Sequence, residues 1–163
     1  MTSEQMTGEA TVEIGVPPDA VYALVSDVTR YGEWSPENLG GTWLDGATGP
    51  AVGARFKAKN KRKVSWTTTC KVLTADPGRE FSFSVGKGGE TVWGYRIEAV
   101  ADGTRCRVTE WFTSAADPGF VEKILIRFAT GVSVDGRAAD LVRGMETTLS
   151  RLKTGAEGLA WPN

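Results

Sequence analysis

The sequence predicts an α+β fold in which a curved antiparallel sheet wraps around a long C-terminal helix. Between residues 137 and 152, side chains recur at spacings of three and four, which places one stripe of an amphipathic helix on Leu141, Met145, Thr148, Leu149 and Leu152. Most of residues 38–113 instead alternates with period two, which is typical of strands. A lone helix after so many strands must bury its stripe on their sheet, and we expect a cavity between the two layers.

The composition is that of one globular domain, taken as residues 1–163, and it excludes several classes of function. The chain is 40% hydrophobic and 24% charged with a net charge of −1, so nucleic acid is not an expected partner. No apolar run approaches the roughly 20 residues of a membrane-spanning helix, so no membrane insertion is expected. The N-terminus lacks the features of a secretion signal, and a cytoplasmic location is the default expectation.

Two absences narrow the chemistry that this sequence can perform. It contains no histidine, which excludes histidine-based triads, histidine general bases and nearly every catalytic zinc arrangement. Its only cysteines, Cys70 and Cys106, are far apart in sequence and form no paired metal motif. We therefore predict no metal and no cofactor, and we expect both cysteines to be buried free thiols.

The N-terminal part is predicted to form a strand followed by two short helices. Residues 1–8 are polar and expected to fray, and residues 10–16 alternate as a first strand. Pro17-Pro18-Asp19 ends that strand and suits the first turn of a helix. A second short helix begins at Asp27 and ends before Pro36, with one apolar face made by Val28, Tyr31 and Trp34.

Six further strands follow, separated by glycine, proline, asparagine and aspartate turns, and together with the first strand they make a seven-stranded antiparallel sheet. They are predicted at residues 39–44, 54–61, 64–75, 79–86, 90–100 and 104–113. Strand parity then points the following side chains towards the helix: Phe56, Ala58, Trp66, Thr68, Cys70, Val72, Phe81, Phe83 and Val85.

The last hairpin provides a check of this facing. With Asp102-Gly103 as the turn, Tyr95 lies opposite Glu110 and Trp93 opposite Phe112, all on the inner face. The outer face then pairs Glu98 with Arg107. A slip of one residue would separate both the apolar pairs and the opposite charges, so this register is strongly favoured.

The segment between the last strand and the long helix allows more than one interpretation. Phe120, Ile124, Leu125 and Phe128 predict a short amphipathic helix or a helical lid. Residues 130–136 carry a glycine near each end, which fits either a kink within one long helix or a separate loop. Residues 155–163, with Gly155, Gly158 and Trp161-Pro162, are expected to form a tail.

Several motifs resemble the START-like, Bet v 1-type superfamily, and within it the SRPBCC group of polyketide cyclase/dehydrase and lipid-transport proteins. They are Val16-Pro17-Pro18-Asp19-Ala20-Val21-Tyr22-Ala23-Leu24-Val25-Ser26-Asp27, Tyr31, Trp34-Ser35-Pro36, Gly53-Ala54-Arg55-Phe56, and the hairpin from Trp93 to Gly103-Thr104. The resemblance spans about residues 9–153. It implies a helix-grip fold, a seven-stranded sheet curled round the C-terminal helix with an apolar cavity between them. It also implies a monomer or dimer, and a homodimer is the expectation taken here.

We expect the cavity to be lined largely by aromatic and apolar side chains. The candidates are Trp34, Trp43, Phe56, Trp66, Phe83, Trp93, Phe112, Phe128, Leu141 and Met145, with Tyr95 and Glu110 as polar members. The alternative is that these aromatic side chains only fill the core. So many large inward side chains exceed the needs of a thin two-layer core, which favours a cavity.

Tyr95 and Glu110 are the candidate catalytic pair. A buried carboxylate is costly unless it is hydrogen-bonded, and burial should raise its pKa. Glu110 could then act as a general base and Tyr95 as an acid or a ligand anchor; alternatively they form only a satisfied polar pair. The resemblance implies that related cyclases use arginine and tyrosine in the cavity, whereas the hairpin arginines Arg96, Arg105 and Arg107 point outwards.

Three functions follow from these features. The leading hypothesis is the binding of a small hydrophobic molecule, aromatic or lipid-like, inside the cavity. The second is an enzyme of the polyketide cyclase/dehydratase type that uses Tyr95 and Glu110. The third is an interaction module that uses the outer sheet face, where Trp111 is the apolar candidate. The basic run of Lys57, Lys59 and Lys61 is interpreted as the solvated side of an edge strand.

Overall fold

The computed structural model describes residues 5–115 and 120–159. Seven strands are present in it: β1 (Met6–Ile14), β2 (Asn38–Trp43), β3 (Arg55–Lys61), β4 (Ser65–Asp76), β5 (Glu80–Val85), β6 (Thr91–Val100) and β7 (Arg105–Ser114). The helices are α1 (Pro18–Val25), α2 (Tyr31–Trp34), α3 (Phe120–Thr130) and α4 (Val134–Gly158), with a 3₁₀ turn at Val28–Arg30 before α2.

The strands form one antiparallel sheet in the order β1-β7-β6-β5-β4-β3-β2. The sheet curves around α4, which packs along β1 and against α2. The stripe of α4 is buried as expected, with Met145, Leu149 and Leu152 each 2% exposed or less. The predicted helix-grip fold is therefore confirmed.

The predicted register of the β6–β7 hairpin is also confirmed. Tyr95 lies opposite Glu110, Trp93 opposite Phe112, and Glu98 opposite Arg107. The inner faces of β3, β4 and β5 follow the predicted parity, so that side chains such as Phe56, Val72 and Phe81 are fully buried: each is 0% exposed. The turn and the alternation together specify which residues face α4.

The first strand and the basic run differ from the predictions for the same reason, which is strand pairing. β1 begins at Met6, inside the segment expected to fray, because its N-terminal half pairs with the long strand β7, Met6 opposite Ser114. Lys57, Lys59 and Lys61 lie on β3, which is flanked by β2 and β4 and is not an edge strand. Their exposure reflects the outer face of the sheet, and the interpretation as an edge strand was wrong.

Residues 131–133 form a loop between two separate helices, which decides between the alternatives for this segment. Gly131 adopts a φ of +79° at the end of α3, where glycine carries no steric penalty. Ser133 then caps α4, its hydroxyl oxygen accepting from the Gly136 N–H at 3.4 Å. The predicted amphipathic helix is α3, although the side chains of Phe120 and Ile124 lie outside the described residues.

The long helix continues two turns beyond its predicted end, so residues 155–158 are helical and not a tail. Ala156 is fully buried, and the Glu157 carboxylate accepts from the Gly15 N–H at 2.9 Å. Gly155 lies directly against the Trp34 ring, where a Cβ would stand 2.5 Å from a ring carbon. Trp161-Pro162 lies outside the described residues.

Cys70 and Cys106 are buried free thiols, as predicted. Their strands, β4 and β7, are separated by β5 and β6. Burial raises the pKa of each thiol to about 11, so both stay protonated at neutral pH. No helix in residues 5–115 or 120–159 is long and apolar enough to span a membrane.

Candidate ligand cavity

A cavity of about 240 Å³ lies between the inner face of the sheet and the helices α2 and α4. Six aromatic side chains line it: Tyr31, Trp34, Trp66, Phe83, Trp93 and Tyr95. The remaining walls are Ser35, Glu37, Asn38, Ala58, Asn60, Thr68, Cys70, Val85, Thr91, Glu110, Arg137, Leu141 and Thr148. About half of the lining residues are polar, but most of the surface that they expose to the cavity is apolar, which is typical of small-molecule sites.

Seven of the twelve candidate residues line this cavity: Trp34, Trp66, Phe83, Trp93, Tyr95, Glu110 and Leu141. Strand parity placed the five strand residues on the inner face and helical spacing placed Trp34 and Leu141 towards it, and all seven reach the space between the layers. Tyr31 and Thr148 also line it, although they were not among the candidates. Each lies on the same helical face as a candidate residue: Tyr31 with Trp34 on α2, and Thr148 with Leu141 on α4.

Five candidates lie elsewhere, and their predicted positions in the cavity wall were wrong. Phe56 is fully buried between the rings of Trp43 and Phe83, whose centroids lie 5.5 and 5.1 Å from its own. Phe112 stacks on Trp93 at 5.2 Å, away from the cavity. Phe56 and Phe112 fill the core, and Trp43 packs on its edge.

Met145 and Phe128 are the other two candidates that do not line the cavity. Met145 is 1% exposed and packs in the core beneath α4. Phe128 lies on α3 and is 66% exposed, so it is a surface residue. The amphipathic pattern of α3 therefore did not indicate which side chains enter the cavity.

Glu110 is the buried polar centre of the cavity. It lies on β7 with only 3% of its surface exposed, and its Oε1 accepts two hydrogen bonds. The Trp93 indole N–H donates to this oxygen at 3.0 Å and the Tyr95 hydroxyl at 3.1 Å. The predicted contact between Tyr95 and Glu110 is present, and Trp93 joins it.

Burial dominates the electrostatics of this centre. It raises the pKa of Glu110 to about 8, against the lowering effect of the hydrogen bonds from Trp93 and Tyr95. Burial, followed by the nearby Glu110 carboxyl group, also raises the pKa of Tyr95 and of Tyr31 well above 10. At neutral pH, Glu110 is therefore mostly protonated and both tyrosines are neutral.

One oxygen of Glu110 has no hydrogen-bond partner among the described residues. This atom is Oε2, which is buried. A buried polar atom without a partner costs about 1–3 kcal/mol, so a native site normally supplies a partner from a ligand or a water molecule. The indole N–H of Trp34, another cavity residue, is also buried without a hydrogen-bond partner among the described residues.

An ion cluster of four residues, Glu37, Arg62, Arg137 and Asp140, lies at the rim of the cavity. Arg137 donates to both carboxylate oxygens of Glu37 at 2.8 and 2.9 Å and to Asp140 at 2.5 Å. Arg62 approaches Asp140 with two contacts of 3.3 Å. The cluster joins the β3–β4 turn, the segment after α2, and the start of α4.

Arg137 is a cavity residue that the sequence reasoning missed. It lies four residues before Leu141, so it shares the helix face that points to the sheet. That spacing was a usable signal. The two arginines and two carboxylates balance each other, and although burial opposes ionisation of Asp140, its hydrogen bonds from Arg137 and Arg62 lower its pKa overall.

The fold and the site together define a class of protein: a helix-grip domain that keeps a largely apolar cavity between its sheet and its C-terminal helix. Residues 5–157 match the sequence profile described as polyketide cyclase/dehydrase and lipid transport. The chain belongs to this family. No curated protein sequence matches the chain.

Solved structures of related proteins share this fold. The Polyketide_cyc-like protein Cgl2372 from Corynebacterium glutamicum is 31% identical, with a TM-score of 0.62 over 94% of this chain and 93% of that one. The Zhui aromatase/cyclase from Streptomyces sp. R1128 is 16% identical, with a TM-score of 0.65 over 94% of both chains. The di-domain ARO/CYC StfQ from the steffimycin biosynthetic pathway is 14% identical, with a TM-score of 0.68 over 94% of this chain and 51% of that one.

Proposed function

We propose that this chain binds a small hydrophobic, ring-bearing molecule in the cavity between its sheet and α4. The observation that carries the proposal is a space of about 240 Å³ walled by six aromatic side chains, with polar groups at the rim and at the buried end. This volume lies just below the roughly 300–1,000 Å³ of sites that hold drug-sized ligands. The ligand is therefore compact, and a larger one would extend past the rim.

The family supports the same function. Its description joins polyketide cyclases and dehydrases with lipid transport, and lipids are largely apolar molecules. The likeness to the Zhui aromatase/cyclase and to StfQ favours an aromatic ligand over a lipid-like one, as does the ring-rich wall. The expected homodimer stays a prediction.

Cavity-dependent binding of a neutral fluorescent probe tests the proposal. We expect 1-aminoanthracene to bind with one site per chain, with a blue shift and increased emission. Ala58→Phe should abolish this response, because Ala58 is a small, buried wall residue and a phenyl ring would occupy the space. Leu141→Trp fills the cavity from the opposite wall and should act alike.

Thr67→Phe is the matched control, since Thr67 is exposed on the outer face of β4, next to the strand that carries Ala58. It should leave the response unchanged. Equal responses from the wild type, both filled variants and the control would place the probe elsewhere and contradict the proposal. Circular dichroism of each variant verifies that it is folded.

A second candidate function is acid–base catalysis on a polyketide-like substrate. The contact of Tyr95 with Glu110 favours it, because a carboxyl group with a pKa of about 8 can donate or accept a proton near neutral pH. Glu110 would begin the reaction mainly as an acid, in contrast to the base role expected from the sequence. An enzyme should lose turnover with Glu110→Gln while retaining affinity for its substrate, whereas a binding protein has no turnover to lose.

The outer sheet face gives less support to an interaction module. Trp111 covers Gly94 and lies 5.8 Å from the Arg96 guanidinium, so it packs on its own sheet. Around it, charges pair across strands, with Arg96 close to Glu9 at 3.1 Å.

A further inference from the structure

Glu110 offers a ligand one oxygen atom. Its Oε1 receives the hydrogen bonds of Trp93 and Tyr95, so both lone pairs of that oxygen are occupied. Its Oε2 has no partner in the described part of the chain, and Glu110 is a wall residue of the cavity. When the carboxyl group is neutral, the proton must lie on Oε2, because Oε1 already accepts from two donors. An acceptor atom of a ligand bound against Glu110 would give this O–H the partner that the described residues do not supply.

None of the described groups that face Glu110 carries a positive charge that would pair with its carboxylate form. Tyr95 on β6 donates to it, and Tyr31 on α2 donates its own hydroxyl to the Val25 carbonyl at 2.6 Å. Cys70 on β4 is a buried thiol, and on β1 the residue opposite Glu110 is Ala10. These neighbours contribute no positive charge.

The helix α4 does not supply a free charge either. Thr148 faces the cavity with a hydroxyl that donates to the Gly144 carbonyl at 2.9 Å. Arg137 faces the cavity from the start of the helix, but Glu37 and Asp140 neutralise it. An anionic ligand would therefore meet a neutral carboxyl group, aromatic rings and a balanced ion cluster.

We propose that the cavity selects neutral aromatic ligands bearing a ketone- or quinone-type carbonyl, whose oxygen accepts a hydrogen bond from Oε2–H of Glu110, and that it rejects carboxylates. This inference rests on the proposed function and narrows it to a ligand class. Burial, which raises the pKa of Glu110 to about 8, keeps the donor in place at neutral pH. Above that pH, the carboxylate oxygen would instead repel a carbonyl oxygen.

Three ligands of the same shape test the proposal: 2-isopropenylnaphthalene, 2-acetylnaphthalene and 2-naphthoate. Their affinities are measured by displacement of 1-aminoanthracene between pH 6.5 and 9.5. At pH 6.5 we expect the ketone to bind roughly two- to tenfold more tightly than the hydrocarbon, the range of one added hydrogen bond, and the carboxylate to bind most weakly. The advantage of the ketone over the hydrocarbon should disappear as the pH rises through 8.

Two variants assign this pH dependence to Glu110. In Glu110→Gln, the amide oxygen can accept from Trp93 and Tyr95 while the amide N–H replaces the O–H donor, so the ketone should keep its advantage at every pH. Glu98→Gln changes an exposed carboxylate on the outer face of β6 and should behave as the wild type. A pH dependence that persists in Glu110→Gln would overturn the assignment.

The outcomes separate this inference from the proposed function. If the probe itself does not bind to the wild type, no displacement can be observed and the proposed function fails. If the hydrocarbon binds and the ketone gains nothing at any pH, or if the carboxylate binds best, the cavity binds apolar molecules but does not select carbonyl compounds through Glu110. Either of these last results would overturn the inference while leaving the proposed function intact.

Discussion

The wild-type protein is expected to lose stability as the pH rises from about 4.5 to 8, and Glu110→Gln should remove most of this loss. The folded-state pKa of Glu110 is about 8, and its ordinary value is 4.5. Below pH 4.5, Glu110 carries the proton in both the folded and the unfolded chain, and the contribution of the neutral group to stability is fully present. Between these values the unfolded chain releases the proton and the folded chain retains it, so the free energy of unfolding falls as pH rises. Over this window the fall amounts to about 5 kcal/mol, at 1.36 kcal/mol per pH unit.

Urea denaturation of the wild type and the variant at pH 5, 7 and 9 measures this effect. Glutamine does not ionise, so the stability of Glu110→Gln relative to the wild type should grow from pH 5 to about pH 8 and then level off towards pH 9. Other titrating groups are common to both proteins and cancel in the difference. Glu98→Gln, which alters an exposed carboxylate, should follow the wild-type curve. Parallel curves for all three proteins would show that Glu110 titrates normally and is not buried as described.

Arg137→Leu is expected to destabilise the protein by about 2–3 kcal/mol. Removing one partner of a buried ion pair leaves its counterpart without compensation, which costs about 3–5 kcal/mol when burial is complete. The side chains of Arg137, Glu37 and Asp140 are 13%, 19% and 9% exposed, so solvent screens part of this cost. After the substitution, Arg62 is the one partly buried cation among the described residues that still approaches both carboxylates, at 3.7 Å from Glu37 and 3.3 Å from Asp140.

Arg143→Leu is the control for Arg137→Leu on the same helix. Its guanidinium lies 4.0 Å from Asp140, but the side chain is 67% exposed, so its removal should change the free energy of unfolding by less than about 0.5 kcal/mol. Both variants are compared by urea denaturation at low and high salt. Equal effects of the two substitutions would contradict the role assigned to the ion cluster in holding α4 to the β3–β4 turn.

The inner face of the sheet could be predicted from sequence because it depends on local rules. A turn centred on Asp102-Gly103 and strict alternation are sufficient to bring Tyr95 opposite Glu110, and the structure has this pair in hydrogen-bond contact. Parity determines the face of a strand to which a side chain belongs. It does not determine whether that side chain fills the core, as Phe56 does, or lines a cavity, as Phe83 does.

Features that depend on distant partners could not be predicted in the same way. The role of Arg137 requires Glu37, a residue far away in sequence that reaches the start of α4 only in the folded chain. The early start of β1 depends on the length of β7, its partner. Phe128 has the spacing of a buried residue, but its environment depends on how α3 sits against its neighbours, which helical periodicity does not specify.

Native mass spectrometry tests the central claim, that the cavity holds one small hydrophobic molecule per chain. Spectra are recorded for the protein as purified and after incubation with 1-aminoanthracene, each beside its denatured counterpart; the native spectra also report the oligomeric state. We predict one adduct per chain in at least one native spectrum, either a retained ligand or the probe, and its loss on denaturation and in Ala58→Phe. Native spectra of the wild type without any adduct, before and after incubation, would contradict the claim.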